Sequence, residues 1–351
     1  MRDLISESPQ ARNWVDKLES ESKNNGNFGA YVAGVGWIGE TGPDGEPIGG
    51  SDPSYIVEEI NSHGWPLIDN HDPGKPVGRV IRAKLCETAD GKRFVAIYCG
   101  LYDEKTALRF DTFGLDVSTN PPDPETLPEP HESWRIELMY DPREIEESWI
   151  ASLNKEETAN LRVPLKVTHL SHNADDTVIE LLRVALPFAV LAWNPFVTEI
   201  AKEAAKDTYA GIKAWLNALV NRLRERKNPV VCIQSNIADV ETIFFLRGSD
   251  IGINRLANEA LPAAAKKAKH LIVQLQNMKM NPDAAAFEYD SEHGWYPSYV
   301  LLEDGRIIAD RNVLLALEPE RSGLSLGISV KRGANKPLKD VAPKYERGPH
   351  K

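Results

Sequence analysis

The amino-acid sequence predicts an α+β protein, with a β-rich N-terminal domain followed by an α+β C-terminal domain. Three observations support this fold class. The chain has 351 residues, more than one typical domain requires. Short apolar runs separated by turn residues fill the stretch 28–120. The second half changes character, with longer runs of apolar residues at helical spacing.

The N-terminal elements follow a strand–helix–strand order. Residues 1–27 are polar and partly helical, and they form a lead-in that ends at NNGN. AYVAGVGWI (30–38) predicts a strand and YIVEEINSHG (55–64) predicts a short helix. Further strands are predicted from WPLIDN, VGRVIRAKL, RFVAIYCGLY and FGLDVS. The Asp-Gly pair in ETADGKR predicts a hairpin connection between two of them.

A proline-rich stretch, NPPDPETLPEPHE at 120–132, is predicted to be a linker or a surface loop, because proline breaks helices and sheet ladders. RIELMY (135–140) predicts a strand. DPREIEESWIASL (141–153) predicts a helix that opens at its Asp-Pro pair. These elements complete a first domain at 28–175.

The second half predicts an α+β domain at 176–330. Helices are expected over 177–227 and 255–280 because apolar residues recur there at helical spacing. Strands are expected at PVVCIQS, ETIFFLRG, FEYD, YPSYVLL and GRIIAD. The remaining residues, 331–351, are basic and rich in proline and glycine, which predicts a flexible tail.

Composition narrows the class of function. The formal net charge of -11 argues against nucleic acid as a partner, since phosphate contacts need a clustered positive surface. The most apolar run, 184–197, is too short to span a membrane and contains two prolines. Three cysteines without a CxxC pair argue against a disulfide framework or a zinc site. With no visible secretory signal, we expect a cytoplasmic protein without cofactor or metal.

GVGWIG at 34–39 matches the dinucleotide-binding pattern GxGxxG by letter. That pattern binds a pyrophosphate only where a helix follows the glycines, and here the turn-rich ETGPDGEP follows instead. The glycines are therefore expected to serve bends or close packing in a curved sheet.

The segment PLIDNHDPGKPVGRV at 66–80 contains the sharpest candidate for chemistry, His71. A histidine can be a general base, a metal ligand or a structural residue. Metal binding needs convergent ligands, and Asp69, Asp72 and the more distant His63 form no ligand spacing that we recognise. A general base needs a nearby nucleophile and a group that fixes the tautomer of the ring.

The stretch from AYVAGVGWIG through NHDPGKPVGRV to RFVAIYCGLYD resembles the prohead (capsid maturation) proteases of tailed phages, a family that shares its fold with the herpesvirus assemblins. The resemblance covers about 28–120 and implies a small β-barrel flanked by helices with serine endopeptidase activity. It makes His71 the catalytic histidine. The partner it implies is a protein substrate or a capsid- or scaffold-like protein, with a homo-oligomer as a further option. The expected place is the host cytoplasm or a virion precursor.

The resemblance leaves the nucleophile open. FGLDVSTN offers Ser118, 47 residues after His71 (118 − 71), but Asp116 stands where the family has its serine. In that strict register the domain is an inactive binding or assembly module whose C-terminal domain contacts a partner. RSGLSLGISV matches the family's GLSxG motif better and offers Ser325. Ser325 can serve only if 130–310 is an insertion in the barrel.

The third member of the site is also open. His131 and Glu137, on either side of SWRI, are the candidates for a group that orients the histidine. His169 and His172 form a weaker pair. The prolines of TNPPDP, which follow Ser118, lack the N–H groups that an oxyanion hole needs.

Overall fold

The structure is a computed structural model, and it contains two compact units that we describe separately. The first unit comprises Met1–Leu108, Asp304–Ile307 and Arg311–Lys351; the second comprises Arg109–Glu303 and Ile308–Asp310. The residues described are 3–22, 25–39, 52–69, 72–115, 134–157, 161–170, 179–187, 203–310, 313 and 331–332.

Helices and strands make up most of this described part, which confirms the α+β class. The helices are α1 (Leu4–Glu7), α2 (Pro9–Ser22), α3 (Pro53–His63), α4 (Glu147–Glu157), α5 (Glu203–Arg222) and α6 (Ile251–Asn277). The first strands are β1 (Ala30–Ile38), β2 (Trp65–Ile68), β3 (Pro76–Glu87), β4 (Arg93–Leu101), β5 (Leu108–Arg109), β6 (Ile136–Tyr140) and β7 (Leu165–His169). The later strands are β8 (Glu180–Ala185), β9 (Pro229–Ile237), β10 (Val240–Arg247), β11 (Pro282–Asp290), β12 (Gly294–Leu302), β13 (Ile307–Ala309) and β14 (Lys331–Arg332).

The first unit is built on an antiparallel sheet with the strand order β14-β1-β4-β3-β2. The central strand β4 is buried on both faces, because helices pack on each side of the sheet. Val95 and Ile97 belong to the cluster on the α3 side, and Phe94 and Ala96 belong to the cluster on the side of α1 and α2. This alternation is the period of two expected for a strand between two packed layers.

Local signals place α3 beside this sheet. The Asp52 carboxylate accepts a hydrogen bond from the Ser54 N–H, and Pro53 occupies the first helical position. The helix ends at Gly64, whose φ of 68° lies in the left-handed region that glycine tolerates. Ile60, on the inner side of α3, is 2% exposed and joins the sheet core.

Two of the GVGWIG glycines, Gly34 and Gly36, lie in β1, and Gly39 follows its last residue. The pairing of β1 with β4 shifts register between Val35 and Trp37, which places Gly36 at a bulge. A Cβ on Gly36 would come within 2.8 Å of Ile97 Cγ2. The prediction of bends and close packing is confirmed for Gly36.

The second unit has a mixed sheet whose strand order, over the described residues, is β5-β13-β12-β11-β10-β9-β8-β6-β7. Three of the described pairs are parallel: β6 with β7, β8 with β9 and β10 with β11. The α-helices α4, α5 and α6 lie in sequence between the strands of these pairs. Trp295 anchors α6, since its indole N–H donates to the Ala257 carbonyl at 2.9 Å.

The division between the units differs from the predicted domains. The sequence predicted a change near 175, whereas the chain passes into the second unit after Leu108. The reason is strand pairing: β6 and β7, assigned to the barrel from sequence, join β8 and β9. The predicted lead-in at 1–27 also contributes Leu4, Ala11 and Val15 to the first core.

Three local predictions were wrong. The stretch 177–227 is not wholly helical, because Glu180–Ala185 forms β8 between β6 and β9. The helix predicted from Asp141 begins at Glu147, since the Asp141 carboxylate accepts from the Arg143 N–H and forms a turn. The predicted tail is not wholly free, because Lys331 and Arg332 pair with β1.

No helix among the described residues is long and apolar enough to cross a membrane.

Candidate functional site

The candidate site is the loop 69–75, which joins the antiparallel strands β2 and β3. His71, which the sequence predicts to be catalytic, and Asn70 lie outside the described residues, whereas the residues that flank them are described. The Asp69 N–H donates to the Lys75 carbonyl at 3.0 Å and closes the loop at its base. The loop is therefore a continuation of the β2–β3 hairpin.

Asp72 organises the second half of this loop. Its side chain is 4% exposed. Its Oδ1 atom accepts from the Gly74 N–H at 2.9 Å, which is the turn that an Asp side chain makes with its own backbone two residues on. Its Oδ2 atom lies 3.6 Å from Lys75 Nζ. Its own N–H donates to the Asp69 carbonyl, and its carbonyl accepts from the Lys75 N–H, both at 2.9 Å.

These bonds fix the backbone on both sides of His71. Asp69 is held to the base of the hairpin, and Asp72 is held by main-chain and side-chain bonds. Asp69 and Asp72 are therefore the fixed points of the described part of this loop.

Burial raises the pKa of the Asp69 carboxyl, and the neighbouring Asp72 charge raises it further, while Lys75 opposes this shift. Carboxyl groups with a pKa raised by burial are common at acid–base sites, and Asp69 lies two residues before His71 in the sequence.

The PVGRV half of the motif has structural roles. A Cβ on Gly78 would collide with the Gly100 carbonyl oxygen, so β3 and β4 can approach here only through glycine. The Arg79 guanidinium donates to the His63 carbonyl at the end of α3, where a cation also suits the helix dipole. The motif thus sets the spacing and the helix end that support the loop.

Glu137, predicted as a third catalytic group, lies on β6 in the second unit. Its carboxylate is paired with Arg135 and lies 4.0 Å from Lys166 Nζ. These contacts give Glu137 a role in a surface ion-pair group along β6 and β7. The structure does not bring it together with the loop 69–75 within one unit.

The other predicted residues are distributed as follows. Asp116, Ser118, His131, His172 and Ser325 lie outside the described residues. His169 ends β7 in the second unit, where its Nε2 atom lies 3.3 Å from the Tyr140 hydroxyl and 3.9 Å from Glu147. His63 ends α3 and offers its carbonyl to Arg79.

The approach to Ser118 differs from the predicted strand. Phe113 is the last residue of a 3-10 turn that begins at Phe110, and Gly114 follows with a left-handed φ of 58°. The FGLDVS strand therefore does not begin at Phe113. The turn lies in the second unit.

Sequence reasoning did not foresee the partner of β14. Val32 pairs with Arg332 and Ala33 pairs with Lys331, so the chain returns to the sheet of the first unit near its C-terminus. The strand-like pattern of GLSLGISV, directly before Lys331, indicated a strand but carried no information about its partner.

Within the described ranges, no group of three or more His, Cys, Asp or Glu side chains is placed to hold a metal ion. Comparison of the chain with known protein families, with curated proteins and with solved structures gives no match.

Proposed function

We propose that the first unit is a serine endopeptidase with a prohead protease-like fold, and that it cleaves protein substrates or the chain itself. His71 is the general base, and Ser325 is the nucleophile in preference to Ser118. The observation that carries this choice is the pairing of β14 with β1 in the sheet that also contains the β2–β3 hairpin.

The first unit is formed by separate segments of the chain, and this supports Ser325 as the nucleophile. The GLSLGISV run ends at Val330, and β14 begins at the next residue. The second unit occupies Arg109–Glu303, between two parts of the first. This is close to the insertion at 130–310 that the Ser325 alternative requires. The turn that leads toward Ser118 belongs to the second unit, whereas the loop 69–75 belongs to the first.

The bonds that hold Asp69 and Asp72, on either side of His71 in the sequence, support its role as base. In the proposed reaction the Ser325 hydroxyl attacks a peptide carbonyl while His71 accepts its proton. His71 returns that proton to the departing amine, and a water molecule then releases the acyl group by the same route. No residue of LGISV, which follows Ser325, is a proline, so each carries the backbone N–H that an oxyanion hole needs. The prolines after Ser118 lack that group.

The experiment is labelling with a fluorophosphonate, which reacts with activated serines. Wild type, His71→Ala, Ser118→Ala and Ser325→Ala are compared, and the labelled peptide is identified by mass spectrometry. We expect label on Ser325 in wild type and in Ser118→Ala. We expect a loss of about a thousandfold or more in His71→Ala and Ser325→Ala, because members of such a site act as a unit.

Two results would contradict the proposal. Label that disappears only in Ser118→Ala would assign the nucleophile to Ser118. Equal labelling in wild type, His71→Ala and Ser325→Ala would remove the catalytic pair. The alternative of an inactive binding or assembly module would then be favoured.

A further inference from the structure

Strand β2 lies at one end of the sheet in the first unit. Its four residues pair with β3 on one side, and in the described part of the chain no strand pairs with its other side. An edge strand of this kind presents unpaired backbone N–H and C=O groups to an incoming chain.

The direction of the backbone N–H and C=O groups of β2 follows from the hydrogen bond between Asp69 and Lys75. The Asp69 N–H points toward β3, since it donates to the Lys75 carbonyl. The pairing shifts register between Leu67 and Ile68, and the extra residue, Val77, belongs to β3. Backbone groups therefore keep alternating along β2, so those of Leu67 also face β3 and those of Ile68 and Pro66 face outward. The outward position of Pro66 agrees with this assignment, because proline is tolerated where a strand needs no N–H.

The outer edge of β2 therefore offers three backbone groups. Ile68 contributes an N–H donor and a C=O acceptor, and Pro66 contributes a second acceptor. The side chain of Trp65, which is 40% exposed, stands beside them. An extended peptide presents the complementary N–H and C=O groups with the same alternation, and the exposed Trp65 ring can pack against one of the peptide's side chains.

We infer that β2 is the docking strand for the extended peptide that the first unit cleaves. This inference rests on the proposed function and names how its substrate is held. The peptide backbone pairs with Ile68 and Pro66. Because Asp69 follows Ile68 directly, a peptide paired with β2 lies at the start of the loop 69–75, whose sequence includes His71.

A second copy of this chain is the less suitable occupant. Two β2 strands paired with each other would supply only one outward donor each, because Pro66 has none. A four-residue strand is also far too small to form a stable dimer by itself. A substrate, in contrast, needs only transient pairing.

The test measures binding without cleavage, in a Ser325→Ala background. The probe is reduced, carboxymethylated α-lactalbumin, an unfolded chain that presents extended backbone. Ile68→Pro removes the outward donor and leaves the ladder to β3 unchanged, whereas the matched control Ile68→Val keeps that donor. We expect about fivefold weaker binding for Ile68→Pro, from the loss of one hydrogen bond, and no change beyond twofold for Ile68→Val.

Amide hydrogen exchange gives a second readout. The Ile68 N–H should exchange rapidly in the free protein and slowly when the probe is bound, while the Leu67 N–H is protected in both states. Unchanged exchange of the β3 and β4 amides in Ile68→Pro would show that this variant is folded.

The outcomes separate this inference from the proposed function. Equal probe binding by Ile68→Pro and Ile68→Val, or no binding by the parent protein, overturns the docking strand even if Ser325 is labelled. If the Ile68 N–H exchanges more slowly as the protein concentration rises, without any probe, the docking of a substrate peptide is also overturned. That result favours pairing with a second copy of this chain. Probe binding that depends on Ile68, in a chain whose serines take no label, keeps the docking strand and removes the endopeptidase.

Discussion

Replacing Asp72 by alanine tests whether its side chain holds the loop around His71. The change removes the acceptor of the Gly74 N–H, at 2.9 Å, and the partner of Lys75, at 3.6 Å. A hydrogen bond to a charged group contributes about 1.5–3 kcal/mol. The ion pair adds less than about 1 kcal/mol because Lys75 is half exposed. We therefore expect Asp72→Ala to destabilise the first unit by about 2–3 kcal/mol.

Asp72→Asn is the matched control. The amide oxygen of asparagine makes the same turn with the Gly74 N–H, and only the charge is lost. We expect this variant to lose about 1 kcal/mol, less than Asp72→Ala, because the neutral acceptor makes a weaker hydrogen bond and the Lys75 pair is lost. If the endopeptidase proposal is correct, Asp72→Ala should also reduce serine labelling under conditions where the protein remains folded, because the backbone beside His71 is then less restricted.

The rate of cysteine labelling can measure the opening of each unit separately. Cys99 lies in the first unit, and burial raises its pKa to about 12, so its thiol stays protonated and inaccessible in the folded state. The unfolded chain regains an ordinary thiol that forms a reactive thiolate near pH 8. The labelling rate of Cys99 at this pH therefore reports opening of the first unit, and buried Cys232 reports the second.

A cost of 2–3 kcal/mol corresponds to Cys99 labelling about 30- to 150-fold faster in Asp72→Ala, with Cys232 unchanged. A rate within threefold of wild type would refute the role given to Asp72. So would equal rates in Asp72→Ala and Asp72→Asn, because the turn and not the charge is expected to dominate.

Three further changes have expected outcomes. Gly78→Ala should destabilise the first unit by about 1–3 kcal/mol, measured by Cys99 labelling, because its Cβ meets the Gly100 carbonyl. Arg226→Ala should destabilise the second unit by about 3–5 kcal/mol, measured at Cys232, because it leaves the mostly buried Glu180 without its 2.7 Å partner. Burial raises the Asp69 pKa, so its contribution to stability is present at acidic pH and is lost as pH rises through the folded-state pKa. Asp69→Asn should flatten that part of the pH–stability profile, as followed by urea unfolding; an unchanged profile would contradict the burial.

Elements whose signal is local could be predicted from the sequence. The strand AYVAGVGWI has the bounds of β1, and the Asp-Gly turn joins β3 to β4 as expected. WPLIDN and VGRVIRAKL were predicted as two strands, and Asp72–Lys75 lie between the observed strands β2 and β3. In each case the residues that determine the structure are neighbours in the chain, so their order carries the information.

Elements that depend on contacts between distant parts of the chain could not be predicted from the sequence. ELLRVA, at β8, is buried between two neighbouring strands, and a short apolar run has no period that separates it from a helix. Asp141-Pro142 has the letters of a helix start, yet the Asp141 carboxylate also binds Arg143, and that contact favours a turn. The pairing of Val32 with Arg332 joins residues that no local pattern relates.

The route of the chain through the second unit bears on the proposed catalytic pair. The chain enters that unit at β5 and leaves it at β13, and these strands are neighbours in one sheet. Adjacent entry and exit points allow a folded unit to be inserted without separating the segments that flank it. Ser325 follows His71 by 254 residues (325 − 71), and Arg109–Glu303 accounts for most of them. The long separation in sequence is therefore no argument against the pair, and the GLSLG motif beside β14 favours it.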